Sequence, residues 1–273
     1  MSVEAGDRVD RVRDDRVLPI TRALSATIVP FLVAAFVVLY IWPTDTDRVF
    51  AWPIKPTLSA MVLGAVYLGG AYFFVRAYRA LRWPTIKAGF VPVGTFASLM
   101  AIATVLHWDR FDHGHVAFWL WVGLYFTTPF LVFAVWLLNR RTEAPARPDE
   151  PTVPAWTANV IGSVGVLAAL TSAFTFLDPG RAISVWPWLL TPLTARVMAA
   201  ILALGIAAVG AFTERRLSCI RVMVEVEVFM LVLIGAGVVR ASGEIDTGRP
   251  LTWLFGLGFL AVLAGSLAIY RRR

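Results

Sequence analysis

Residues 115–138 read HVAFWLWVGLYFTTPFLVFAVWLL, a run without a single Asp, Glu, Lys or Arg. Its length matches the ~20 residues an α-helix needs to cross ~30 Å of hydrocarbon. Apolar side chains follow one another without a break, whereas a strand of a membrane barrel would alternate over ~10 residues. Working outward, comparable runs lie at 22–42, 57–78, 87–107, 156–176, 191–212, 222–240 and 251–270, which makes eight. Hydrophobic residues are 58% of the chain and charged residues 16%, against about 25% charged in a soluble domain. The sequence predicts an all-α integral membrane protein with eight transmembrane helices.

Arginine placement predicts orientation. Arg8, Arg11, Arg13, Arg16, Arg22, Arg76, Arg79, Arg82, Lys87, Arg140, Arg141, Arg147, Arg215, Arg216, Arg221, Arg271, Arg272 and Arg273 all fall on one side of the eight runs, 18 of the 25 Lys and Arg. The positive-inside rule places that side, with both termini, in the cytoplasm, which requires an even number of spans. The formal net charge of +7 does not indicate nucleic acid, because these arginines sit at helix ends, where topology and anionic lipid headgroups account for them. The partner implied is the bilayer itself, with a membrane-protein partner or a second copy left open. Tryptophans also gather near span ends: Trp42, Trp52, Trp108, Trp186, Trp188 and Trp253 are expected in an outer aromatic belt, and Trp83, Trp136 and Trp156 in an inner one. The polar start of the chain and a first run ending in Trp42-Pro43 fit an uncleaved signal-anchor. Cys219 is the only cysteine; it is expected in a cytoplasmic loop as a reduced bystander thiol.

A second pattern lies over the first. At a shift of 134 residues Trp52-Pro53 returns as Trp186-Pro187, Thr57 as Thr191, Arg82 as Arg216, Asp112 as Asp246 and Trp119-Leu120 as Trp253-Leu254. Such a repeat predicts duplicated architecture. The expected organisation is a tail at 1–21, a four-helix repeat at 22–139, a polar linker at 140–155 and a second four-helix repeat at 156–273. Four spans per copy make the repeats parallel, related by an axis along the membrane normal. Ala199, Ala203, Ala207 and Ala211 in the sixth span, with Ala65 and Gly69 in the second, form small-residue stripes suited to close helix contact, at the seam or within a repeat.

Three places carry polar chemistry. The outer hairpin from His107 to His115 holds all three histidines, and with His107, Asp109, Asp112, His113 and His115 it is a candidate site for a divalent transition metal. A polar cluster and a solvated loop are the alternatives. Glu225 and Glu227 lie in the seventh span, where a carboxylate marks a functional candidate. A spacing of two puts them about 200° apart on the helix. Glu225 is four residues after Arg221 and can pair with it, while Arg76 is the expected partner of Glu227. Arg196, a turn into the sixth span, is expected to find Asp178, Glu244 or Asp246, and Arg240 can pair with Glu244, forming a charged outer vestibule. Phosphate-loop, HExxH and GxSxG signatures do not occur. Gly162-Ser163-Val164-Gly165 reads as tight helix packing.

Trp52-Pro53-Ile54-Lys55-Pro56, Leu68-Gly69-Gly70-Ala71 and Leu106-His107-Trp108-Asp109-Arg110-Phe111-Asp112 resemble the first half of a group of actinobacterial eight-span membrane proteins. Trp186-Pro187-Trp188-Leu189-Leu190-Thr191-Pro192-Leu193-Thr194-Ala195-Arg196 resembles their second half. The likeness covers about residues 50–215 and implies a multi-pass protein of a bacterial plasma membrane; it implies no activity, cofactor or site residue. Three function classes follow from the whole chain: a transporter or channel for a small molecule, ion or lipid; a scaffold or assembly subunit of an envelope complex; and an outer-face metal-binding enzyme. Topology reporters fused after Arg141 and after Arg216 are expected to report the cytoplasm, and those fused after Arg110 and after Glu244 the exterior. The reverse pattern would reject the orientation.

Overall fold

The computed structural model describes residues 14–144 and 149–271. Of the basic residues used to orient the chain, Arg8, Arg11, Arg13, Arg147, Arg272 and Arg273 lie outside them. Eight helices are long and apolar enough to cross a membrane: span 1 Pro19–Ile41, span 2 Thr57–Arg79, span 3 Lys87–Leu106, span 4 Val116–Thr142, span 5 Ala155–Leu177, span 6 Pro192–Phe212, span 7 Leu217–Arg240 and span 8 Leu251–Tyr270. No β-strand forms among the described residues. In hydrocarbon a backbone N–H or C=O must bond within its own segment, and a helix satisfies that requirement alone.

Span 2 pairs with span 1, span 4 with span 3, span 6 with span 5 and span 8 with span 7. Contacts between the two halves run from span 2 to span 7 and from span 3 to span 6. The middle of the bundle is thus made by spans 2, 3, 6 and 7. Span 2 is the most enclosed, with Leu58, Ala60, Leu63 and Ala65 fully buried. Span 8 is the least, and Trp253, Leu254, Leu257 and Leu260 turn outward, as a face toward lipid requires. Span 4 leans on span 1 only lightly, and spans 5 and 8 make no substantial contact.

Several sequence expectations need correction. Span 7 starts at Leu217, so Cys219 is a buried helical residue and not part of a loop. Trp52, Trp83 and Trp186 are buried core residues, 3%, 0% and 6% exposed, and not members of an aromatic belt. Trp52 packs edge-on against Trp121 and Phe111, and Trp186 packs against Phe255. Trp42, Trp108, Trp156 and Trp253 are exposed, as a belt requires. Hydropathy places an indole near a span end but does not distinguish one folded over the bundle from one facing lipid.

Span 6 is not a continuous helix. Regular α-helix runs from Pro192 to Ala203 and resumes over Ile206–Val209, and the last turn tightens to 3₁₀ at Gly210–Phe212. Around the break Leu204 N–H donates to Ile201 C=O and Gly205 N–H to Leu202 C=O, both 3.0 Å, so the backbone winds more tightly there. Span 5 sits directly on the break. A Cβ on Gly165 would come within 2.7 Å of Val209 N and 2.9 Å of Gly205 O, and one on Gly205 within 2.6 Å of Ala168 Cβ. Two backbones therefore touch, and only glycine permits it. Of the Ala stripe, Ala199, Ala203 and Ala211 are buried, while Ala207, just past the break, is only partly so. Gly165→Leu forces a branched side chain against backbone that cannot yield, so a loss of roughly 1–3 kcal/mol is expected, read as a lower melting temperature in detergent. Gly123→Leu, where a Cβ meets nothing within 4 Å, is expected to leave the melting temperature unchanged.

Candidate functional site

At the histidine-bearing end the two halves are stitched by polar groups. Arg196 of span 6 lays its guanidinium over the Phe176 ring, 5.8 Å from its centre, and donates from Nη1 to His107 Nε2 at 2.7 Å. The bond requires a neutral, accepting imidazole. Burial and the adjacent Arg196 charge both hold the His107 pKa below its ordinary value. Arg196 therefore does not pair with Asp178, Glu244 or Asp246, as its position in the sequence suggested. Glu244 turns instead to the start of span 2: Oε1 accepts from Thr57 N–H (3.0 Å) and Thr57 Oγ1 (2.6 Å), and Oε2 from Leu58 N–H (2.7 Å). Span 2 has no side-chain cap of its own, and a carboxylate at a helix N-terminus satisfies its free N–H groups and opposes its dipole. Arg240 likewise leaves Glu244 and donates to Tyr40 C=O (2.7 Å) and Ile41 C=O (3.2 Å), at the C-terminal end of span 1. Two residues expected to pair with each other thus cap opposite ends of two helices in the other half.

The histidine hairpin is a folded turn held by its own hydrogen bonds. His113 Nε2 lies 2.9 Å from Trp108 O, His115 Nδ1 accepts from Ala117 N–H at 3.1 Å, and His107 is held by Arg196. Asp112 Oδ1 accepts from Gly114 N–H at 3.0 Å and Asp109 pairs with Arg110 at 3.2 Å. Among the described residues no three His, Cys, Asp or Glu side chains converge where an ion could be held. In this geometry His107, Asp109, Asp112, His113 and His115 each turn to a different neighbour and do not meet at one point. The hairpin after span 7 repeats the same bonds without any histidine: Gly248 N–H donates to Asp246 Oδ1 at 3.1 Å, and Trp253 Nε1 to Thr247 O at 3.2 Å, as Trp119 Nε1 does to His113 O at 3.0 Å.

The opposite, basic end holds an ion-pair network that the sequence did not reveal. Arg82 meets Asp15 at 3.1 Å and Glu150 at 2.9 Å. Arg216 meets the same Glu150 at 3.3 Å and Glu214 at 2.5 Å. Lys87 bridges Glu214, at 3.1 Å, and Glu143. Burial opposes ionisation of Glu150, yet hydrogen bonds from Arg82, Ser218 and Arg216 outweigh it and hold its pKa below the ordinary value. Glu214 behaves likewise: against the cost of burial, bonds from Arg216 and Lys87 hold its carboxyl down at about 2. A network of shared partners counts for more than isolated surface pairs.

Within the membrane, Glu225 and Glu227 go to different neighbours. Glu225 pairs with Arg76 of span 2 and, at 3.2 Å, with Arg221 on its own helix, while Tyr72 Oη lies within 3.3 Å. The Arg221 expectation agrees with this, and Arg76 belongs to Glu225 rather than to Glu227. Glu227, on the far face of the helix, accepts one hydrogen bond, from Ser266 Oγ of span 8 at 2.7 Å. Because span 7 begins at Leu217, Glu227 stands about 15 Å along its axis, well inside the span.

Between the halves runs a cavity of about 1150 Å³. Its wall is mostly apolar and takes in side chains of all eight spans, from Phe50 and Trp186 at one end to Lys87, Glu143 and Glu214 at the other. Glu227 is on the wall, as is the broken segment of span 6 from Leu204 to Gly210. Phe31, Leu120 and Val164, all substantially exposed, mark its rim, near the loosely joined spans 1 and 4 and spans 5 and 8. No protein-family model, curated protein or solved structure matches the chain.

The Glu214 contribution has a definite sign. Its folded pKa lies below the ordinary 4.5, so the stabilisation is full above about pH 4.5 and is lost as the pH falls through about 2. The melting temperature of the purified protein is expected to drop between pH 6 and pH 3, and by less in Glu214→Gln.

Proposed function

We propose that the chain is a pseudo-dimeric membrane transporter that binds an amphipathic, lipid-sized small molecule in the seam between two parallel four-helix halves, 22–139 and 156–273, with both termini in the cytoplasm. Three features support the duplication. Contacts across the seam are reciprocal, since spans 2 and 3 correspond to spans 6 and 7 and the pairs are 2 with 7 and 3 with 6; that is the pattern of a two-fold interface. The outer hairpins share their hydrogen bonds. At the basic end, the segment before span 1 makes an isolated bridge to Arg82 and the segment before span 5 one to Arg216.

The observation that carries the function is the cavity. Its volume exceeds the 300–1,000 Å³ of common small-molecule sites, its wall is apolar, and both lateral rims face the bilayer. A wall that includes a tightened helix segment fits a moving part, because 3₁₀ stretches inside a helix mark hinges and irregular backbone at membrane depth is tolerated where it lines a cavity. The sealed interior of a pure scaffold would leave that volume unexplained.

The test is photolabelling in phosphatidylcholine nanodiscs with a diazirine-bearing fatty alcohol, with labelled positions mapped by mass spectrometry. Labels are expected on the cavity wall, on Met198 and Met223 among others, and several-fold fewer in Ala97→Trp, where the indole occupies the space. Labels confined to the outward side chains Leu167, Leu170 and Leu257 would overturn the reading.

A further inference from the structure

Glu227 is the one acidic wall residue of the cavity that lies inside a span and has no cation beside it. Glu225, two residues away, is paired with Arg76 and Arg221; Glu143 and Glu214 at the basic mouth are paired with Lys87. Among the described residues Glu227 enters no ion pair, and its single partner is the Ser266 hydroxyl on Oε2, which leaves Oε1 unused. A carboxyl within the hydrocarbon zone takes up a proton unless a counter-charge keeps it ionised, and the described residues supply none. The surrounding wall is apolar and aromatic. Val226 and Met230 stand beside the acid on span 7, Phe259 lies further along the same wall against Gly235, and Tyr67, Trp186 and Trp188 line other parts of the cavity. Aromatic faces attract cations most strongly where water is excluded.

Resting on the cavity reading above, we infer that the molecule taken up is a lipophilic cation, an amine or quaternary onium carried on an apolar body, and that Glu227 is the residue that recognises its charge. The apolar body fills the seam and the positive centre sits against Oε1. An anionic amphiphile of the same size is excluded by the same carboxylate, and a neutral one enters without help from it.

The experiment uses the full chain in phosphatidylcholine nanodiscs and tritiated tetraphenylphosphonium as probe. Saturable binding is expected, weakened at least tenfold in Glu227→Gln, while Ser266→Ala, which frees the second oxygen, retains binding. Tetraphenylborate, of like shape and opposite sign, is expected to bind more weakly than the phosphonium to the native protein and to gain in Glu227→Gln. A second readout needs no variant: dicyclohexylcarbodiimide, an apolar carboxyl reagent, is expected to modify Glu227, with tetraphenylphosphonium protecting and tetraphenylborate not protecting. Equal phosphonium affinity in the native protein and in Glu227→Gln, or carbodiimide modification that the phosphonium does not slow, would overturn the inference. Fatty-alcohol labelling of the cavity distinguishes the two levels. If it persists while the charge tests fail, the cavity reading stands and the cation assignment falls; if it is absent from the native wall, both fall.

Discussion

Lipid gives two apolar helices no hydrophobic reason to associate, since acyl chains are as apolar as leucine. An eight-span bundle must therefore be held by close van der Waals approach and by polar contacts, and this protein uses each where the other is lacking. Close approach dominates inside the second half, where Gly165 lets span 5 rest on the backbone of span 6. Polar stitching dominates across the seam. Near one end stand Arg196–His107 and the Glu244 cap on span 2; within the membrane stands Arg76–Glu225; at the other end Glu150 is shared by Arg82 and Arg216. Removing the partner of any such group would leave a charge in a poorly solvated place, which costs far more than the pair contributes when complete.

The stitches across the seam differ from one another in kind. The contact of span 3 with span 6 is closed by an arginine on a neutral histidine, and that of span 2 with span 7 by a glutamate on a helix N-terminus. At a shift of 134 residues Arg196, His107 and Glu244 fall opposite Val62, Ala241 and Arg110. The two halves also differ in their backbone. Span 2 runs unbroken from Thr57 to Arg79, while span 6 is interrupted at Leu204–Gly205. The interruption and Glu227, which enters no ion pair among the described residues, both belong to the second half and both line the cavity.

Much of this was legible in the chain. Continuous apolar runs identified all eight helices within a few residues, because a bilayer permits few other structures. The pairing of Arg221 with Glu225 was legible because it is local, one turn apart on one helix. The Arg82–Glu150–Arg216 network was not, since its members come from 66 to 68 residues apart and read individually as ordinary topogenic charges. Glu227 was singled out correctly as an intramembrane acid but given the wrong neighbour. Its partner is a serine in span 8, and no charge pattern points to a hydroxyl.

Thus the number of helices and their extent follow from the chain alone, because length and hydropathy are written along one dimension. The tertiary structure alone decided which polar groups meet, that the histidines are separated by their own hydrogen bonds rather than gathered, and that a cavity opens at the seam. Those outcomes depend on the rotation of each helix about its axis. In a span that is apolar on nearly every side, hydropathy leaves that rotation undefined, and only packing against neighbours fixes it.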